Sequence, residues 1–152
     1  MPTILVGDTN IWLDLREGGL LEGAFSLPVT YAVPDLLFED ELADFEGPDL
    51  VRLGLAVKSL TEAEIQLLEE LAQTFSRPSR YDLAALALAL SHRWILLSGD
   101  AGLRQAAGQK GCEVHGTLWL MRMMVKHRIL SQGELETTLE TMRRAGRRLP
   151  RL

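Results

Sequence analysis

Two short apolar runs, each closed by an aspartate, constrain this chain more than any other feature. The first is Ile4-Leu5-Val6-Gly7, followed by Asp8-Thr9-Asn10. The second is Trp94-Ile95-Leu96-Leu97, followed by Ser98-Gly99-Asp100. An unbroken apolar run of four, with helical periodicity after it, reads as a strand buried on both faces of a parallel sheet. In open parallel sheets, ligands collect outside the carboxyl ends of the strands. Both aspartates are therefore expected on the edge where chemistry takes place.

The remainder of the chain fits the same plan. Asp8 or Thr9 caps a first helix carrying Ile11, Trp12 and Leu15, stopped at Gly18-Gly19. Val29 to Val33 reads as a strand. Pro34-Asp35 then opens a helix with Leu37, Phe38, Leu42 and Phe45 on one stripe, punctuated by Gly47-Pro48. The alternation Leu53/Leu55/Val57 suits an edge strand within Leu53 to Leu60. Thr61 and Glu64 form a capping box for a helix carrying Ile65, Leu68 and Leu71. Ser79 starts another helix, and its segment from Leu83 to Leu90 is apolar nearly all round, which predicts deep burial. Trp94 to Leu97 is the expected central strand, with a helix from Asp100 to about Gln109 and a short last strand at Cys112 to Val114. Gly116 to Ile129 is amphipathic, and Ser131 with Glu134 caps a final helix. This order predicts one α/β domain over residues 1–152, a three-layer α/β/α sandwich around a central, mostly parallel sheet. Residues 116–152 form a C-terminal helical extension with an arginine-rich tail.

Composition narrows the function classes. The net charge of −5 argues against a protein that coats nucleic acid non-specifically, although Arg143, Arg144, Arg147, Arg148 and Arg151 crowd the last ten residues. That tail is a solvated face or a surface for phosphate or a partner. The single cysteine, Cys112, excludes an intrachain disulfide and suits a reducing cytosol. With no signal-peptide pattern and no apolar stretch near the ~18–20 residues of a membrane span, a soluble cytoplasmic protein is expected.

Four carboxylates are candidates for one site. Asp8 and Asp100 follow strands, Asp82 lies in the first turn of the apolar helix, and the fourth comes from Glu39-Asp40-Glu41. Counting 100° per residue around the Phe38/Leu42/Phe45 stripe puts Glu41 nearest the buried side, with Glu39 second and Asp40 furthest away. Clustered carboxylates repel one another, and burying them uncompensated costs several kcal/mol. A divalent cation removes that repulsion. Hard oxygen donors without His or Cys favour Mg²⁺ or Mn²⁺ over zinc, and such ions activate water against phosphodiesters. Each acid also has a structural explanation: Asp8 and Asp100 as helix N-caps, Asp82 in a capping box with Ser79, and Glu41 as a solvated helix residue.

Several of these motifs match a known family. Val-Gly-Asp-Thr-Asn-Ile resembles the opening strand and DTN motif of PIN domains. Ser79 to Ala89 resembles their aspartate-bearing apolar helix, and Leu97-Ser98-Gly99-Asp100-Ala101-Gly102-Leu103 resembles their LTGDxxL element. Val114 to Trp119 is similar to an element of a bacterial, VapC-like subgroup with an added C-terminal helical hairpin. The resemblance implies a metal-dependent endoribonuclease acting on single-stranded RNA. Asp8, Asp82, Asp100 and Glu41 (or Glu39) would be catalytic and hold Mg²⁺ or Mn²⁺, with Asn10 and Ser98 in the substrate-binding positions. It further implies the toxin of a type II toxin–antitoxin pair, silenced by a small antitoxin protein, and a homodimer.

Other features carry less. His92, His115 and His127 are too far apart for a local ligand pair and read as structural or surface residues. Met121 to Met124, with Trp119 and Leu120, reads as core or as a partner-binding groove. Gly7 and Gly99 suit close packing at strand ends, and no phosphate-binding glycine motif is present. Two alternatives stay open: a non-catalytic RNA- or protein-binding module, and a phosphatase or flap-type DNA nuclease using the same acids.

Overall fold

The structure, a computed structural model, describes residues 3–149. Five parallel strands form one sheet: β1 (Thr3–Gly7), β2 (Val29–Pro34), β3 (Ala56–Lys58), β4 (Ile95–Leu97) and β5 (Val114–His115), in the order β3-β2-β1-β4-β5. The chain leaves β1 toward β2 and β3, then crosses to the other side of β1 to lay down β4 and β5. The direction of strand addition therefore reverses between β1 and β4, which is where such sheets open a ligand crevice.

Helices cover both faces. α1 (Thr9–Glu17) and α2 (Leu21–Phe25) lie between β1 and β2 in the chain. α6 (Arg80–His92) packs against β1, β2 and β4, with α5 (Glu62–Thr74) and α7 (Ala101–Gln109) beside it. α8 (Thr117–Lys126) packs on α1 and α2, and α9 (Gln132–Arg144) packs on α1 and α8. The result is the three-layer α/β/α arrangement expected. Leu83 to Ala89 of α6 are all buried, as their composition requires, and Met121 and Met124 of α8 belong to the core. No helix among the described residues is long and apolar enough to cross a membrane.

The segment after β2 departs from expectation. α3 (Asp35–Leu37) runs directly into a wide turn over Phe38–Leu42, in which the Ala43 N–H reaches back five residues to the Phe38 carbonyl at 2.8 Å. A turn that wide rotates everything after it. Leu37 and Leu42 are buried, but Phe45 is 71% exposed and leaves the stripe. Gly47-Pro48 opens α4 (Gly47–Leu53) rather than closing a helix, because proline is tolerated in a first helical turn. Leu53 is thus helical, and Gly54, at φ 122°, ends that helix and leaves only Ala56–Lys58 for the edge strand.

Smaller corrections follow. β4 is not central; β1 is. Trp94 precedes β4, and Ile65 is half-exposed while Leu68 and Leu71 are buried. The last strand begins at Val114, two residues later than the spacing suggested. Arg151 of the arginine-rich tail lies outside the described residues.

Candidate active site

The site is built where β1 and β4 end side by side. The Asp8 N–H donates to the Leu97 carbonyl at 3.1 Å, carrying the β1–β4 ladder one residue past Gly7. That bond brings Asp8 level with Ser98. The Ser98 hydroxyl donates to Asp8 Oδ2 at 2.5 Å and accepts the Asp100 N–H at 3.0 Å, so one serine links both aspartates. Asp8 also caps α1, accepting the Ile11 N–H at 3.0 Å on Oδ1, and Asp100 caps α7, accepting the Leu103 N–H at 2.8 Å. Their capping roles are therefore real and hold the carboxylates at the strand ends.

Asp82 comes from α6, in the helical layer that also holds α7. Ser79 caps α6, donating its backbone N–H to Asp82 Oδ2 at 3.1 Å while its hydroxyl accepts the Asp82 N–H at 3.1 Å. Glu41 arrives on the wide turn and accepts the Thr9 hydroxyl at 2.7 Å, next to Asp8 in the chain. Its neighbours diverge: Asp40 accepts the Tyr81 hydroxyl at 2.9 Å, and Glu39 lines a separate cavity with Leu60, Leu68 and Arg80.

The electrostatics record the crowding. Asp8 is fully buried, and burial pushes its carboxyl up to about 7. The bonds from Ser98 and Ile11 pull it down, and the negative charges of Asp82 and Asp14 push it further up. Asp82 is also raised, first by burial and then by the charges of Asp100 and Glu41, against the bonds from Ser79. These acids feel one another across elements far apart in sequence.

The donor set is oxygen only. Glu41, Asp82 and Asp100 each spend one carboxylate oxygen on a donor of the chain and keep the other without one among the described residues. That chemistry fits a hard divalent ion. With the present side-chain rotamers, no three His, Cys, Asp or Glu side chains among the described residues converge closely enough to enclose one.

Three residues emerge that sequence reasoning did not assign to this region. Thr9 positions Glu41. Asp14, on α1, is buried; it accepts the Thr117 hydroxyl on Oδ2 at 2.7 Å and Arg147 Nε on Oδ1 at 2.6 Å. Arg147 also donates from Nη2 to Asn10 Oδ1 at 3.1 Å, so the predicted substrate-binding Asn10 is held by the C-terminal segment. A signal for Asp14 was present: it shares a helix face with Ile11 and Leu15, where an acid is out of place. Of the glycines, Gly7 is needed for packing, since a Cβ there would lie 2.7 Å from Trp12 Cζ2. A Cβ on Gly99 would meet nothing within 4 Å, so close packing does not explain it. The histidines do not form a ligand pair: His92 stacks on Trp94 and His115 on Trp119, each at 4.1 Å, and His127 is exposed.

Comparison with known proteins agrees with this architecture. The family profile DUF3368, described as a PIN domain, matches residues 4–151. The fold is similar to that of a PilT N-terminus domain protein from the hyperthermophilic archaeon Sulfolobus solfataricus P2. That likeness has a TM-score of 0.58 and 12% sequence identity, over 82% of this chain and 96% of the other. A search of curated protein sequences finds no match.

Proposed function

The chain belongs to the PIN-domain family, and from that premise we propose that it is a metal-dependent endoribonuclease that hydrolyses single-stranded RNA. The observation that carries this reading is the approach of Asp8, Glu41, Asp82 and Asp100 to the β1–β4 switch point from four separate elements, near enough that Asp8 and Asp82, already raised by burial, are raised further by neighbouring negative charge. Groups so perturbed in a crevice are characteristic of functional sites.

In this reading Asp8, Asp82, Asp100 and Glu41 hold Mg²⁺ or Mn²⁺. A bound ion of this kind supplies activation of the attacking water and stabilisation of the charge that builds on the phosphate. The chain's part is orientation. Ser98 sets the Asp8 and Asp100 carboxylates relative to each other, Thr9 fixes Glu41, and the Ser79 capping box fixes Asp82. Cleavage of a labelled single-stranded RNA in Mn²⁺ tests the proposal. Asp8→Asn and Asp100→Asn each reduce the rate at least 100-fold while the thermal transition survives, and EDTA abolishes cleavage. Wild-type rates in either variant remove those residues from the chemistry.

One observation favours a second reading, a non-catalytic RNA-binding module: the carboxylates do not enclose an ion in their present rotamers. It predicts RNA binding with no cleavage in any divalent metal. The toxin role, with a small antitoxin protein, a homodimer and a cytoplasmic setting, is part of the proposal and draws its support from the sequence resemblance. Growth arrest on expression, relieved by Asp8→Asn, is the expected outcome.

A further inference from the structure

Beside the carboxylates, the C-terminal part of the chain builds a cavity of opposite character. It has a volume of about 780 Å³ and is walled by α8, α7 and the segment after α9. Arg104, Arg122, Arg143, Arg147 and Arg148 line it, together with Trp119. Such a collection of guanidinium groups is conspicuous in a chain of net charge −5. Among the described residues Asp14 is the one carboxylate in the wall, and it is already engaged by Thr117 and Arg147. A second cavity, about 560 Å³, shares Asp14, Gly99, Arg147 and Arg148 with the first and adds Asn10 and Asp100. The two cavities thus adjoin across Asp14, Gly99, Arg147 and Arg148, with the arginines of the first on one side and Asp100 on the other.

The lining residues divide into fixed and available groups. Arg147 is tied to Asp14 and Asn10, and Arg104 donates from Nη1 to the Ser98 carbonyl at 3.1 Å, so these two form the wall. Arg122 and Arg148 are exposed and make no salt bridge among the described residues. Trp119 is half-buried, and its ring lies parallel to His115 at 4.1 Å.

We propose that this arginine-lined cavity holds the sugar–phosphate backbone of single-stranded RNA on one side of the scissile phosphate, with the His115–Trp119 pair as the stacking surface for one base. The assignment rests on the ribonuclease reading for the direction of the strand toward Asp100. The chemistry of the cavity supplies the rest. Planar guanidinium forks match phosphate oxygens. An aromatic surface beside them rewards an unpaired base, since the bases of a duplex are already stacked. Arg122 lies on α8 and Arg148 beyond α9, and a strand can offer them successive phosphates where a mononucleotide offers one.

The test uses the full chain in EDTA, where the strand stays intact. Binding of a fluorescein-labelled oligouridylate of about 12 nucleotides is followed by anisotropy across a KCl series. The double variant Arg122→Gln/Arg148→Gln is expected to weaken binding at least tenfold. It should also flatten the slope of log K against log salt by about 1.4, or about 0.7 for each lost phosphate contact. Trp119→Leu should weaken binding at least fivefold with the slope unchanged. Arg52→Gln, which removes an exposed arginine paired with Asp49 on α4, controls for the loss of positive charge outside the cavity and should leave both quantities alone.

The proposal is overturned if the double variant behaves like Arg52→Gln. It is equally overturned if uridine monophosphate competes as well as the oligomer, which makes this a small-anion site, or if polyglutamate does, which makes it a peptide site. Cleavage in Mn²⁺ separates the two readings. A wild type that binds in the expected pattern but never cleaves loses the ribonuclease assignment and keeps the cavity. A wild type that cleaves while the double variant binds unchanged loses the cavity alone.

Discussion

Asp8 joins three roles in one side chain: strand end, helix cap and the most buried carboxylate of the rim. Its elevated pKa fixes the sign of a pH effect. Between its ordinary value of 3.8 and about 7, the folded protein holds a proton on Asp8 that the unfolded chain has released. Without divalent ions, stability is thus fully present below pH 4 and lost as the pH rises through 7, by about 4 kcal/mol at most. Asp82 acts in the same direction. Glu64 and Glu134, whose carboxyls are lowered from 4.5, act in the opposite direction but in more acid solution, outside the range from pH 5.5 to pH 8. Thermal unfolding in EDTA should show a lower Tm at pH 8 than at pH 5.5, and Asp8→Asn should narrow the difference; Mn²⁺ should restore more stability at pH 8 than at pH 5.5. Equal melting at both pH values in EDTA contradicts the burial account. The adjoining glycine is a packing requirement: Gly7→Ala drives a Cβ into the buried Trp12 ring and should cost about 1–3 kcal/mol, whereas Gly99→Ala should leave the Tm within about 0.5 kcal/mol of wild type.

At the scale of elements, what could be read in the sequence was whatever local chemistry dictates. Ser79 with Asp82, Thr61 with Glu64 and Ser131 with Glu134 all close as capping boxes, because each is a contest among four consecutive residues. The Ser79→Ala change should cost about 1 kcal/mol in chemical denaturation. Cleavage should stay within several-fold, since the Ser79 backbone N–H still holds Asp82. The segment from Phe38 to Phe45 was legible only in part. Counting around a regular helix points to Glu41, which does reach Thr9 at the rim, yet the counted stripe fails at Phe45 because the turn is wide. Wide turns of this kind depend on what packs around them. Here a Cβ at position 47 would lie 2.7 Å from the Leu42 carbonyl, so Gly47 permits a contact that no periodicity announces. Leu53 departs from the pattern for a different reason: an alternation over three positions fits a helix end as well as a strand.

Over the whole molecule, the strand order turns residues 8 and 100 into neighbours, and an α/β pattern is enough to anticipate that edge. It does not reveal the latch that ties the C-terminal hairpin to the site. Asp14 meets Thr117 and Arg147 across 103 and 133 positions. Asp14→Ala leaves the half-buried Arg147 without its carboxylate and should destabilise the fold by about 2 kcal/mol. It should also speed tryptic cleavage after Arg143, Arg144 and Arg147; unchanged proteolysis would mean the latch does not hold that segment. The central claim, that four carboxylates at one rim hold a hard cation, is most directly tested by soaking crystals in Mn²⁺ and computing an anomalous difference map. The account predicts a peak within about 2.0–2.3 Å of oxygens from at least two of Asp8, Asp82, Asp100 and Glu41. A map with no peak at this rim, while Mn²⁺ is bound elsewhere on the same molecule, would contradict it.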